Sequence, residues 1–401
     1  MFEIAGNQFE IKVSKDTDNL ELTDKMFESL LIQEPVCVEG RPSNGLTLSL
    51  VELCFSTPEM TTVSKFMSAR DKPVLIDIKL TQIPNTDNPE TFQFKKTNMD
   101  LSIGGDKVCS VKMYGVTYLQ DFTEVNRVCA YPKKKAIITI QEITKNSKTE
   151  IETTPDTIET DDEQNWIQGN LTDALFVSDL IKHSYIQNSF LLSAINYNKL
   201  RVIDINKAYE SAKEKKTELP LIGYPVSDKS ELKDNNAIVP TKINVETLSG
   251  VWDYTLSDNT QNPIFNIVDG KLLNSSIKVE SSSFFSSLFK AKSIDTTPKS
   301  KITRTTAVRI DTGSTHDKYW EAYLSNQRGM YKLLQNMIYI ETQMYLTKPI
   351  RPLDFVYLNL DISPTEVSAY TGVAIVLNQS RYFTKTGQHT QLLLANSFGN
   401  S

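Results

Sequence analysis

Catalytic and metal-binding residues are scarce in this chain of 401 residues. It has three histidines, His183, His316 and His389, standing far apart, and four cysteines, Cys37, Cys54, Cys109 and Cys129, none in a Cys-x-x-Cys pair. Zinc needs clustered Cys and His ligands, so this spacing argues against a metal site, and scattered thiols fit a reducing compartment better than a disulfide framework. No apolar run approaches the roughly 18 residues of a membrane span. The opening MFEIAGNQFEIKV lacks the charged-then-apolar pattern of a signal peptide, so assembly in a cytoplasm, with no membrane partner, is expected. The glycosylation-like triplets at Asn170, Asn274 and Asn378 carry no meaning in that setting. Nucleophile elbows, phosphate loops, dinucleotide fingerprints and His-Glu-x-x-His helices are all missing. Gly104-Gly105-Asp106-Lys107 has neither the glycine spacing nor the Ser/Thr of a phosphate loop. No cofactor and no enzymatic activity are expected.

What is present is the composition of an ordinary globular protein, 39% hydrophobic and 23% charged, long enough for about two to four domains. The net charge of −6 excludes a uniformly basic nucleic-acid binder. With 49 acidic residues, chance carboxylate pairs are everywhere and point to no glycoside chemistry.

The first ~140 residues read as β. In LTLSLVELCF, Leu46, Leu48 and Leu50 share one side; in PVLIDIKLTQI, Val74, Ile76, Ile78 and Leu80 do. DKVCSVKMYGV and AIITIQEI are further strand candidates, and short strands separated by turns suggest a sandwich or barrel. Residues 144–165, Thr-rich and acidic, read as an exposed linker. Asp161, Asp162 and Glu163 within it lack a second ligand cluster and read as a solvated charge run. An α/β unit follows: a helix over TDALFVSDLIKHS capped by Asn170 or Thr172, with His183 on its surface or satisfied in its core, a hairpin turning at Asn196-Tyr197-Asn198-Lys199, and a helix over NKAYESAKEKK.

Between 215 and 315, VWDYTL and NPIFNIVDGKLL look like strands. A Ser/Thr/Lys-rich basic stretch then carries Phe284, Phe285, Leu288 and Phe289 at near-helical spacing. Large aromatics in a polar segment need a surface to bury against, either a docked partner or their own domain. The last third predicts a helix presenting Trp320, Tyr323, Leu324, Tyr331 and Leu334 on one face. Two alternating strands follow, split by TKPIRP, then a strand (AYTGVAIVLN), a loop (SRYFTKTGQHT) and a terminal strand (QLLLANS). The less apolar strand faces suit a sheet facing a lumen or a partner.

The order of four stretches resembles the baseplate hub, or tail hub, of contractile-tailed bacteriophages and the related hub part of type VI secretion spike proteins. These are EGRPSNGLTLSLVEL with PVLIDIKLTQIP; NLTDALFVSDLIKHS with SFLLSAINYNKLRVIDI; the long helix running into IETQMYLTKPIRPLDFVYLNL; and YTGVAIVLNQSRYFTKTGQHTQLLLANS. Many hubs carry Gly in the turn after the Pro, where this chain has Leu353-Asp354, and the basic Phe-containing segment has no matching counterpart. The resemblance implies a mainly β fold with an α/β insertion: a tube-type β-barrel over 1–143, the acidic linker 144–165, an inserted α/β region over 166–315, and a helix plus second barrel over 316–401. It implies a structural role in the virion: a homotrimer of six barrels around a channel, joining the six-fold tail tube to the three-fold central spike and touching other baseplate proteins. DNA would pass without sequence-specific binding. The alternatives are another tail-tube or baseplate component, such as a tube terminator or wedge protein, or a β-rich cell-wall glycan hydrolase. Within this reading Phe284, Phe285, Leu288 and Phe289 are the candidate partner interface.

Overall fold

The structure is a computed structural model. It describes residues 1–4, 6–37, 44–67, 72–82, 89–104, 108–223, 238–247, 260–266, 271–275, 304–305, 309–311, 318–334, 336–342, 350–360 and 370–396. Eight strands come first: β1 (Phe2–Ile4), β2 (Asn7–Lys15), β3 (Asp18–Glu21), β4 (Phe27–Pro35), β5 (Leu50–Thr57), β6 (Leu75–Gln82), β7 (Glu90–Ile103) and β8 (Cys109–Thr117), with helix α1 (Met60–Met67) between β5 and β6. Seven of them pair in the order β1-β2-β6-β7-β8-β5-β4, and β3 adds to β2. Strict alternation turns Phe9, Ile11 and Val13 of β2 and Ile76, Ile78 and Leu80 of β6 into one core, where they meet Phe27, Phe55, Phe66 and Phe94. Phe9 sits 5.0 Å, edge-on, from Phe383, a residue near the other end of the chain.

The middle of the chain builds on β9 (Asn126–Lys134), α2 (Ala136–Asn146), β10 (Glu150–Thr154), β11 (Gln164–Thr172), α3 (Asp173–His183), β12 (Leu191–Asn196), β13 (Lys199–Asp204) and α4 (Ile205–Glu214). β9 and β11 form a two-stranded antiparallel ribbon, and β10, β13 and β12 form a separate small sheet. Thr172 caps α3 by accepting from the Leu175 amide, and Asp204 caps α4 through the Asn206 and Lys207 amides. The hairpin turn falls where expected, with Tyr197 rather than an asparagine taking the left-handed φ of 56°.

After this come β14 (Leu221–Gly223), β15 (Lys242–Thr247) and a small sheet of β16 (Thr260–Asn266), β17 (Lys271–Ser275), β18 (Arg304–Thr305) and β19 (Arg309–Asp311). The chain ends with α5 (Tyr319–Leu334), β20 (Asn336–Thr342), β21 (Phe355–Asn359), β22 (Gly372–Thr384) and β23 (Gly387–Asn396). β22 runs on from β4, so that β4-β22-β23-β20-β15 extends the first sheet, while β14 and β21 pair beside β22. The architecture is mainly β, one large, mostly antiparallel sheet with helical insertions.

Five expectations are corrected. AIITIQEI is the helix α2, not a strand. Ile137, Ile140 and Ile143 recur at three-residue spacing on its buried face while Ile138 is exposed, and a run of adjacent isoleucines hides that period. The inward face of β5 is Val51, Leu53 and Phe55, leaving Leu50 exposed, because Leu46 and Leu48 precede the strand and pack on the core of the insertion. The acidic stretch is not a solvated linker throughout: Glu150–Thr154 pairs in parallel with β13, and Asp162 is buried. Its carboxylate accepts from the Ala136 amide at the start of α2 (2.8 Å), from the Thr160 hydroxyl (2.7 Å) and from the Tyr185 amide (2.9 Å). It therefore caps a helix from 26 residues away, which no local pattern announces. On α5 the buried stripe is Ala322, Asn326, Met330 and Leu333 with Leu334, while Trp320 and Tyr323 are half-buried at its N-terminal end. Finally, the loop expected over SRYFTKTGQHT is mostly strand: Gly372–Thr384 is one continuous strand, β22, β23 begins at Gly387, and the hairpin turn is only Lys385-Thr386.

Candidate functional site

The densest charged chemistry lies inside β22. Leu377, Gln379, Arg381 and Phe383 continue the two-residue period of the strand inward, past an irregularity in its pairing with β23 at Asn378. The Arg381 guanidinium donates through Nη1 to Glu90 Oε2, at the start of β7, and through Nη2 to Glu34 Oε2 of β4 at 3.0 Å. The Tyr197 hydroxyl, on the β12–β13 turn, donates to Glu90 Oε1 at 2.7 Å. Arg381 lies 5.4 Å over the Phe92 ring, Tyr197 meets the same ring edge-on at 5.1 Å, and Arg351 lies 5.0 Å over Tyr197. The first sheet, the insertion and the C-terminal strand are thus tied at one point. Asn7 Nδ2 donating to Gln388 Oε1 (2.9 Å) and Asn378 Oδ1 accepting from the Val36 amide (3.0 Å) extend the same seam.

Glu34, Glu90 and Arg381 are all buried. Two carboxylates around one buried guanidinium leave an excess of negative charge in a dry site, which is costly unless a proton is taken up. Burial accordingly pushes the Glu34 carboxyl up to about 7 against the pull of Arg381, with the Glu90 charge adding to the rise. Burial works against the charge on Arg381 too, but the two carboxylates more than offset it and its pKa is raised. Burial and Glu90 together raise Tyr197, which keeps its phenol proton for the hydrogen bond to Glu90. This cluster holds no nucleophile. Its chemistry is that of an interlock, in which directional bonds fix the register of the strands that meet there.

A second seam joins α5 to α3. His183 is buried and stacks on Tyr319 at 3.8 Å and on Tyr323 at 4.9 Å between ring centroids, as a core histidine would. Asn326 donates to the Lys182 (3.0 Å) and Ser184 (2.9 Å) carbonyls at the end of α3. A cleft of about 870 Å³ lies between β2, β6 and β7 on one side and residues 118–121 and 147–150 on the other. Its charged walls pair with each other, Lys79 with Glu10 at 3.1 Å and Gln93 with Asp77 at 2.7 Å, and Ser147 spends its hydroxyl on the Ile143 carbonyl of α2. Nothing in that arrangement activates a nucleophile.

The third feature is the β9–β11 ribbon. Its inner face, with Tyr131 and Trp166, packs on the core of the insertion, while its outer face exposes Val128 (78%) and Ile167 (64%). Among the described residues, each of the two strands pairs only with the other.

Phe284, Phe285, Leu288 and Phe289 lie outside the described residues. Arg381, Glu34 and Glu90 were missed as site residues. The one signal for Arg381 was the continued alternation from Leu377 to Phe383 through two polar residues. Among the described residues, no helix is long and apolar enough to cross a membrane.

No family model and no curated protein matches this sequence. Solved structures do match. The chain is similar to the 43 kDa tail protein of prophage MuSo2 from Shewanella oneidensis, with a TM-score of 0.51 and 7% identity over 97% of each chain. It is also similar to the tail protein of Neisseria meningitidis MC58, with a TM-score of 0.53 and 8% identity over 97% of this chain and 96% of that one. At such identities the likeness is one of fold, and the fold is that of phage tail proteins, the group the sequence resembles.

Proposed function

We propose that this protein is a structural component of a phage-type tail and, more specifically, the hub of its baseplate. Three copies form a ring that joins a six-fold tail tube to a three-fold spike. The observation that carries this reading is the near end-to-end likeness to two tail proteins, which spans 97% of this chain. The large sheet supports it: it has a strand block at each end of the chain, continuous through β4 and β22, with an α/β region between them, and in this reading the two blocks supply the two barrel units of each subunit. The protein works by assembly, not catalysis. Its partners are two further copies of itself, a tube protein, a spike protein and other baseplate proteins, and it resides in the virion. DNA passes through the ring without sequence-specific contact, as an acidic chain allows, since holding phosphates requires neutralising Lys and Arg.

Electron microscopy of the purified protein, with class averages examined for symmetry, tests the hub role. Rings of three copies around an open channel are the expected result. Six-fold rings would instead make the protein a tube or terminator component, and particles without rotational symmetry would remove the hub role.

A further inference from the structure

The turn that joins β12 to β13 separates two different environments. Asn196 pairs with Lys199, so Tyr197 and Asn198 are the two residues of its loop. Asn198 lines the cleft between the first sheet and the insertion, together with Thr91 and Phe92. Its neighbour Tyr197 reaches the cluster instead, its hydroxyl donating to Glu90 Oε1 at 2.7 Å and its ring meeting Phe92 edge-on. The turn is therefore a partition between the cleft and the buried carboxylates around Arg381.

This partition is held by side chains and not by its backbone. Tyr197 has a φ of 56° at the first loop position, where two-residue hairpin loops favour glycine or asparagine. A bulky residue in that conformation costs roughly 1–2 kcal/mol. The contacts that offset the cost are the bond to Glu90, the Arg351 guanidinium 5.0 Å over the Tyr197 ring, and Asn196 Nδ2 donating to the Pro352 carbonyl at 3.1 Å. Without them the strained loop favours fraying of the hairpin end.

The groups that face one another here come from β4 (Glu34), β7 (Glu90), β22 (Arg381), the turn (Tyr197) and residue 351 (Arg351), which Glu34 feels most weakly. Among the described residues, Arg381 is the one cation bonded to either carboxylate. With Glu34 neutral, the charges of Arg381 and Glu90 cancel. With Glu34 ionised, one negative charge is left in excess where water is shut out, and water admitted past an opened turn relieves it. The proton on Glu34 has the matching preference: in the closed structure it is held up to about 7, against 4.5 for an ordinary carboxyl.

We infer that the Tyr197 turn is a proton-controlled latch: with Glu34 neutral it closes over the cluster and ties the insertion to the first sheet, and when Glu34 ionises it undocks and frays toward the cleft. The closed form binds the proton more tightly, so by linkage opening is rarest below pH 4.5, grows as pH rises towards 7 and levels off above it.

Hydrogen exchange of the full chain, followed by mass spectrometry and normalised for the intrinsic rate at each pH, tests this on peptides covering the turn. Wild-type protection there should fall at least about tenfold between about pH 5 and about pH 7.5. At the higher pH the turn should exchange well before β2 and β6 of the first sheet. In Glu34→Gln, neutral at every pH, protection of the turn should not change with pH. Tyr197→Phe removes the bond to Glu90 but leaves Glu34, and should lower protection of the turn about tenfold at both pH values. A turn protected equally at both pH values in the wild type would overturn the latch, as would a pH-dependent loss that persists in Glu34→Gln. A turn that exchanges only together with β2 and β6 would also overturn it, since it would then open only on global unfolding. So would a Tyr197→Phe turn as protected as the wild type, a result that decides the matter even if Glu34→Gln does not fold.

Discussion

The two halves of β22 lie on one continuous strand and are held by opposite means. From Gly372 to Leu377 every residue is buried and the packing is aliphatic, with Val376 in the core of the C-terminal sheet and Ile375 and Leu377 in the core it shares with the insertion. From Asn378 to Thr384 the strand alternates, and its inward positions include Gln379 and Arg381, the latter bound to Glu34 and Glu90. The first half is stabilised by area removed from water, which is large but indifferent to partner. The second half is held by directional bonds that only one register satisfies. A strand that joins the two ends of a chain needs that discrimination, since a slip of one residue would turn every side chain to the wrong face.

Substitutions on either half probe this contrast, the largest effect being expected in the polar one. Arg381→Met leaves two carboxylates buried without their cation and should cost about 4 kcal/mol in urea unfolding. A cost below 1 kcal/mol would mean that the cluster is solvated and holds nothing.

The pH dependence should be nearly as large. Glu34 titrates near 4.5 when unfolded and near 7 when folded, so its protonated form is the one the fold favours. Its contribution is complete below pH 4.5 and is lost as pH rises through 7, an effect of about 3 kcal/mol. Measured as the difference between wild type and Glu34→Gln from pH 4.5 to 8, stability should fall with pH in the wild type only. A difference independent of pH would place the shared proton elsewhere.

In the aliphatic half, Leu377→Ala should cost about 3 kcal/mol through a cavity, with no dependence on pH. Leu353→Gly should cost less, about 2 kcal/mol. Leu353 is buried beside that half, its amide donating to the Val376 carbonyl at 2.7 Å, but it holds a φ of 72° that glycine adopts without strain. A gain in stability instead would show that backbone strain outweighs the lost packing.

That position also shows how far sequence reasoning reached. Glycine is the residue that left-handed backbone favours, and this chain places Leu353 there, held by its burial. Strands with one wet face, such as β6, β8, β20 and β21, were legible because burial alternates along them. The α3 cap, the hairpin at Tyr197 and the helix over 205–214 were legible because their signals are local. The junction was not. Glu34 and Glu90 are ordinary acids in ordinary strands, and Arg381 sits in a polar run that reads as a loop; only the pairing of β22 with β4, more than 340 residues apart, gives the three a common site. Asp162 escaped for the same reason, as a cap supplied by distant sequence. The exposed ribbon of Val128 and Ile167 was invisible because exposure belongs to the folded surface, and apolar residues in strands are expected to be inside.

The central claim, that this chain functions as a ring-forming structural component of a tail, is tested most directly by the mass of the wild-type protein in solution, measured by light scattering across a wide concentration range. A stable species at three times the 45.3 kDa of the single chain is the predicted result. A strict monomer at every concentration would contradict it.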